Sequence, residues 1–109
     1  MKFIRQAIPD LILIEPQVRG DARGYFVESF RQDLLAQELG YSPDFCQDNE
    51  SFSRRGVLRG LHFQLPPFAQ SKLVQVLEGE VLDVCVDIRQ GSPTFGQHLA
   101  TRLSADNKQ

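Results

Sequence analysis

The chain has 109 residues, of which 41% are hydrophobic and 24% are charged, a composition typical of a globular protein. Lys and Arg total 12 against 14 Asp and Glu, and the resulting net charge of −2 argues against a basic nucleic-acid-binding surface. This length suits one modest domain, so we predict a single domain over residues 1–109.

The start of the chain is charged, and no apolar run approaches the roughly 20 residues that cross a bilayer. Cys46 and Cys85 form neither a disulfide framework nor a CxxC metal motif. Isolated cysteines fit a reducing compartment. We therefore expect a cytoplasmic protein with neither a membrane nor a nucleic acid as its partner.

Turn residues, mainly Gly and Pro, recur between short runs rich in Val, Leu, Ile and Phe. This spacing predicts an all-β fold, a mostly antiparallel sandwich or barrel. The first polar cluster, residues 19–30, is a charged turn that continues into an aromatic strand. One short helix is predicted over residues 32–39, where Leu35 and Leu39 form an apolar pair at helical spacing and Gly40 provides a stop.

A second polar cluster, residues 45–51, places amides and acids in a predicted strand. Polar residues are common in loops and edge strands. Taken alone, both clusters are therefore interpreted as solvated surface rather than as a site.

The segment of residues 56–64 places Arg59 and His62 in a predicted apolar strand. Residues three apart point to opposite faces of a regular strand, but a bulge at Gly60 would bring both onto one face. Such a strand could hold an anion and move a proton. The alternative is a surface Arg and a core His that is hydrogen-bonded to the backbone.

Residues 80–89 alternate as a strand, with Asp83 and Asp87 on one face. This face is either the wall of a polar cavity or a solvated outer face, and alternation alone leaves both open. The turn at Gly79 predicts a hairpin that pairs this strand with residues 72–77. A metal site is not expected, because His62 and His98 lie far apart in the chain and a metal-binding barrel needs several convergent ligands.

Taken together, a series of motifs resembles the dTDP-4-dehydrorhamnose 3,5-epimerase family over essentially the whole chain. In order they are GDARGYF (20–26), FCQDN (45–49), GVLRGLHFQ (56–64), QSKLV (70–74), GEVLDV (79–84), VDIR (86–89), SPTFG (92–96) and LSADNK (103–108). The resemblance implies a cupin-like jelly roll, a double-stranded β-helix, that acts as a homodimer. N-terminal strands of each protomer would cross into its partner, and neither a metal nor another cofactor would be needed.

The resemblance also implies the activity and the site. The reaction is epimerisation of dTDP-4-dehydro-6-deoxy-D-glucose at C3 and C5, in dTDP-L-rhamnose synthesis. His62 matches the catalytic base, Asp83 matches a carboxylate of the pocket, and Lys72 matches a cation near the sugar. The substrate-binding matches are Arg23, Phe26, Glu28, Gln47, Asp48, Asn49, Arg59 and Lys72.

Family members continue well beyond the position that Gln109 occupies, so an incomplete jelly roll is expected here. The continuation carries further strands, the Tyr that acts as the opposing acid and the Asp that orients the base. The chain is then a piece of a full enzyme, or a short product that folds by extensive strand exchange. The alternative is a module that binds nucleotide sugars or assembles with other chains without catalysis.

Overall fold

The computed structural model describes all 109 residues as two compact units. The first unit is formed by Met1–Arg31 and Val74–Gln109, and the second unit by Gln32–Leu73. The strands lie in the first unit and the helix lies in the second. All strand pairs are antiparallel, as the pattern predicts. No helix is both long enough and apolar enough to pass through a membrane.

The N-terminal part of the first unit forms two ribbons of paired strands. Strand β1 (Lys2–Arg5) pairs with β2 (Ile12–Glu15). Strand β3 (Val18–Asp21) pairs with β4 (Gly24–Val27) through a two-residue turn, which confirms the predicted charged turn and aromatic strand.

Glycine is required at the end of that turn. Gly24 has a φ of +133°, a backbone conformation that other L residues rarely adopt. The turn therefore ends at a position where a side chain would strain the backbone, and this fixes the register of β3 against β4.

The C-terminal part of the first unit is a longer ribbon. Strand β5 (Glu80–Val86) pairs with β6 (His98–Ser104) over all seven residues. The predicted strand ran three residues further, to residue 89, but the regular strand ends at Val86. Asp87 begins the connecting turn instead, because its carboxylate accepts hydrogen bonds from Ser92 Oγ and Thr94 Oγ1, each at 2.6 Å.

The predicted pairing of residues 72–77 with β5 is wrong, because β6 is the partner of β5. Gly79 does not turn the chain back onto β5; its carbonyl accepts the Ala105 N–H at 2.9 Å, which extends the β5–β6 ladder. The turn after Asp87 brings β6 back locally, where Gly96 N–H donates to the Asp87 carbonyl at 2.7 Å. Alternation identifies a strand but carries no information about which neighbour supplies its hydrogen bonds.

The second unit contains one helix, α1 (Gln32–Leu39), with the predicted bounds. Leu35 is its buried residue, and Gly40 ends it with a φ of +79° while donating its N–H to the Ala36 carbonyl. The strands predicted over residues 45–51 and 56–64 are not formed. Both segments lack a paired neighbour, and without that pairing there is no ladder in which Gly60 could form a bulge.

Few apolar side chains are buried. Ile8, Val76 and Leu103 form the buried hydrophobic set of the first unit, and Leu35 is its counterpart in the second. Large apolar side chains of the second unit face solvent instead, and Leu58 is 91% exposed. Apolar exposure on this scale marks a surface that another polypeptide covers or a ligand occupies.

Candidate functional site

Three of the predicted binding residues lie on the β3–β4 ribbon of the first unit. The register places Arg19 opposite Phe26, and side chains two apart share a face. Phe26 therefore lies on one face with Arg19, and Glu28 and Gln17, just outside the two strands, lie beside them. With Met1 these four residues line a small cavity of about 100 Å³.

Arg23 lies in the turn of this ribbon and is held by Asp21. Its Nη2 donates to Asp21 Oδ2 at 2.6 Å, and its backbone N–H donates to Asp21 Oδ1 at 2.8 Å. The hydrogen bonds from the Arg23 side chain and backbone lower the pKa of the Asp21 carboxyl, and the same pair raises the pKa of Arg23. Both side chains are open to solvent, so an anionic ligand would compete with Asp21 for the guanidinium.

Asp83 lies at the centre of β5, opposite Thr101 of β6. Cys85, two residues along the same face, approaches Asp83 Oδ2 with its Sγ at 3.9 Å. Burial, followed by the Asp83 charge and this contact, raises the pKa of the Cys85 thiol. Asp83 and Cys85 are half-buried whereas Val81, at the start of the same face, is 45% exposed, so only the middle of this face is covered.

Asp87 lines a small cavity of about 160 Å³ together with Ile8, Asp10 and Cys85, but its carboxylate is engaged by the turn. Its side chain is buried and accepts hydrogen bonds from Arg89, Ser92 and Thr94, which together hold the pKa of the carboxyl far below its usual range. Arg89 also forms an ion pair with Asp10, which ties the β5–β6 turn to the turn between β1 and β2. Both carboxylates raise the pKa of Arg89. This cluster holds the ribbons of the first unit together.

Arg59, in the second unit, is anchored but keeps its charge. Its Nε donates to Ser53 Oγ at 2.8 Å and its Nη2 donates to the Phe52 carbonyl at 3.0 Å. Both acceptors are neutral, so nothing in these bonds neutralises the guanidinium. The guanidinium has five N–H groups, and these bonds use two of them. The other three are available to an anion.

His62 is exposed and lies two residues after Gly60, whose φ is +114°. A Cβ at Gly60 would lie 3.7 Å from the His62 backbone N and 3.9 Å from Nδ1, which are ordinary contact distances, so glycine is favoured there by its backbone conformation and not by space. Lys72 is also exposed. No carboxylate pairs with either side chain, so His62 and Lys72 face solvent without an internal anion.

The remaining predicted binding residues form a short polar stretch in the second unit. Gln47 Nε2 donates to Asn49 Oδ1 at 3.0 Å, and Asp48 between them is exposed. This bond orders two amides that the sequence places next to one another. It leaves the carbonyl oxygen of Gln47 and the amide nitrogen of Asn49 free for a ligand.

The structure therefore groups the predicted residues in two sets. Arg23, Phe26, Glu28 and Asp83 belong to the first unit, and Gln47, Asp48, Asn49, Arg59, His62 and Lys72 belong to the second. The prediction did not include Arg19 or Gln17, which line the cavity beside Phe26. The signal that could have found them is register, because a two-residue turn after Asp21 places residue 19 opposite residue 26.

These antiparallel ribbons define an all-β protein of the cupin-like class, an incomplete jelly roll with one short helix. Solved structures of this class superpose on nearly the whole chain. The family model described as dTDP-4-dehydrorhamnose 3,5-epimerase matches residues 5–109, and the chain belongs to this family.

Individual relatives agree with that membership. A Shigella flexneri dTDP-4-dehydrorhamnose 3,5-epimerase is 54% identical over 99% of this chain and 60% of the relative. The Bacillus anthracis enzyme, solved with TDP and PPi bound, is 48% identical, with a TM-score of 0.91 over 98% of this chain and 61% of that one. A Legionella pneumophila epimerase in complex with dTDP-4-keto-L-rhamnose is 52% identical, with a TM-score of 0.90 over 97% and 56%. The chain thus spans about 60% of the length of the curated relatives it matches.

Proposed function

We propose that this chain carries the base and most of the anion-binding surface of a nucleotide-sugar epimerase. The reaction is epimerisation of dTDP-4-dehydro-6-deoxy-D-glucose at C3 and C5, in dTDP-L-rhamnose synthesis. The observation that supports it most strongly is the family match over residues 5–109, which includes every candidate site residue.

His62 is the proposed base. Each proton that it removes lies on a carbon next to the C4 ketone, so the electron pair of the broken C–H bond delocalises onto the C4 oxygen as an enolate. A cation near that oxygen stabilises the charge, and Lys72 is proposed for this role. Return of a proton from water to the opposite face of the carbon inverts its configuration. Asp83, half-buried on β5, is the proposed carboxylate of the pocket.

The nucleotide diphosphate is proposed to bind through arginines. Arg59 offers three unused N–H groups, and its planar fork suits pairs of phosphoryl oxygens. Arg23 would exchange its contact with Asp21 for the ligand, and Phe26 offers an aromatic surface to a base. Polar contacts are proposed from Glu28, Gln47, Asp48 and Asn49.

Residues 1–109 are proposed to form the N-terminal portion of one jelly-roll domain that works as a homodimer with exchanged strands. Two features support this arrangement: β5 is paired along one edge only, and large apolar side chains of the second unit are exposed. A cytoplasmic location is part of the proposal, in keeping with two unpaired cysteines. Neither a cofactor, a nucleic acid nor a membrane has a role in it.

A non-catalytic module that binds nucleotide sugars or assembles with other chains is the second candidate. It is favoured by one observation, namely that no carboxylate of this chain pairs with His62. A neighbouring carboxylate holds a catalytic imidazole in one tautomer and stabilises its charged form. An unpaired His62 lacks this support.

Deuterium incorporation distinguishes these functions. The pure chain is incubated in D₂O with dTDP-4-dehydro-6-deoxy-D-glucose, and label at each carbon is followed by NMR. The epimerase predicts label at C3 and C5, whereas an epimerase acting at C3 alone would label only that carbon. Binding of dTDP without any label would support the binding module and overturn the epimerase.

A further inference from the structure

We infer that Arg19 is a further binding residue, which contacts a phosphoryl group of the nucleotide from the cavity beside Phe26. This inference rests on the proposed function and adds a residue that the family motifs do not assign. Arg19 lies in β3 directly opposite Phe26 of β4, and both line the same small cavity.

The charges on this face of the ribbon single out Arg19. Arg23 is paired with Asp21 at 2.6 Å, and Glu28 is paired with Arg31 at 3.6 Å. The Arg19 side chain forms no such pair and makes no hydrogen bond within the chain. Among the side chains that line the cavity, Arg19 therefore carries the charge that no partner compensates, and an anion is the ligand that it favours.

The size of the cavity indicates which part of a nucleotide it suits. Its volume of about 100 Å³ is the space of roughly three water molecules. Sites for drug-sized ligands enclose about 300–1,000 Å³. The cavity is thus too small for a nucleoside, but its scale suits a single phosphoryl group whose base or sugar lies outside, against Phe26.

The pleat of the ribbon directs Arg19 to the face opposite the one that carries Tyr25. Lys108 Nζ donates to the Tyr25 hydroxyl at 2.8 Å and lies 4.6 Å from the centre of its ring. Gly20, opposite Tyr25, has no side chain to block this approach. Lys108 contacts the face that carries Tyr25. Arg19 and Phe26 alternate with Gly20 and Tyr25, so they lie on the other face, where the cavity is.

The test compares binding of dTDP and of thymidine to the unmodified chain and three variants by calorimetry. Arg19→Gln removes the charge, Arg19→Lys keeps it without the fork, and Arg102→Gln is the control. Arg102 is an exposed arginine on β6, so its loss changes net charge equally away from the cavity. The expected result is about tenfold weaker dTDP binding for Arg19→Gln, with a smaller loss for Arg19→Lys.

Thymidine binding is expected to change less than twofold in all variants, because thymidine has no phosphoryl group. Equal dTDP affinity of Arg19→Gln and the unmodified chain would overturn the role of Arg19 while leaving the proposed function intact. So would an equal loss for dTDP and thymidine, since that would indicate a general disturbance of the ribbon. An unmodified chain that binds no dTDP would overturn both proposals. Weakened dTDP binding in a fourth variant, Arg23→Gln, would support the nucleotide site independently of Arg19.

Discussion

Arg59 gives the sharpest prediction about nucleotide binding, because some N–H groups of its guanidinium make structural contacts and the others are free for a ligand. Two of its five N–H groups hold the loop through Ser53 Oγ and the Phe52 carbonyl, and three are free. Substitution Arg59→Gln removes the charge and the three free donors, together with both structural bonds. Substitution Ser53→Ala removes one structural bond and leaves the guanidinium in place, so it is the matched control.

The size of the effect follows from what is lost. A hydrogen bond to a charged group contributes about 1.5–3 kcal/mol, and each 1.4 kcal/mol is tenfold in affinity. If one phosphoryl contact depends on Arg59, dTDP binding weakens by about 10- to 150-fold in Arg59→Gln. In Ser53→Ala the loss stays within about threefold, because the cation remains free to meet the diphosphate.

Calorimetric titration with dTDP and with thymidine measures both effects on the same samples. Thymidine affinity is expected to be the same in both variants, because thymidine carries no phosphoryl group. Unchanged dTDP affinity in Arg59→Gln would refute the role of Arg59. Equal losses in Arg59→Gln and Ser53→Ala would show that Arg59 acts only through the loop.

Three further predictions concern the fold and its groups. The low pKa of Asp87 stabilises the folded chain fully above the unfolded carboxyl pKa of about 4, and this contribution falls as the pH drops below that value. Asp87→Asn should lose this part of the pH dependence of the free energy of unfolding in urea, and an identical pH profile in both proteins would contradict the prediction. Cys46 is exposed whereas burial and Asp83 raise the pKa of Cys85, so iodoacetamide at pH 8 should label Cys46 before Cys85. Asp83→Asn should speed the labelling of Cys85, and labelling of Cys85 before Cys46 in the unmodified chain would refute the predicted order. Leu35→Ala removes three buried carbons and should lower the free energy of unfolding of the second unit by about 2–3 kcal/mol, whereas Gln37→Ala, at an exposed position, should not. Hydrogen exchange of the α1 amides measures this difference, and equal exchange rates in the two variants would contradict the prediction.

Local features of the fold could be predicted from the sequence, because each depends on residues close in the chain. The bounds of α1 follow from the apolar spacing around Leu35 and from Gly40. The β3–β4 hairpin follows from a charged two-residue turn that ends at Gly24. In both cases the side chains that determine the element lie within it.

Pairing between distant segments could not be predicted in the same way. The alternation over residues 80–86 identifies β5, but the hydrogen bonds around Asp87 are what bring β6 to it rather than residues 72–77. Residues 45–51 and 56–64 have the composition of strands, yet a strand also needs a neighbour, and this chain pairs neither segment.

The candidate site could be predicted from family motifs but not from isolated residues. Arg59 and His62 taken alone favour a surface arginine and a core histidine over a site. The structure excludes the core histidine, because His62 is exposed. The prediction did not include Arg19, because its position opposite Phe26 depends on strand register, which a sequence motif does not show.

The central proposal is tested most directly by the rate of proton exchange at C3 and C5 of dTDP-4-dehydro-6-deoxy-D-glucose. This rate is measured in D₂O for the unmodified chain and for His62→Ala. General base catalysis contributes about 10²- to 10⁴-fold, so His62→Ala should exchange at least about 100-fold more slowly. Added imidazole should restore part of the rate by occupying the space of the missing ring. Exchange in His62→Ala at the rate of the unmodified chain would contradict the assignment of His62 as the base.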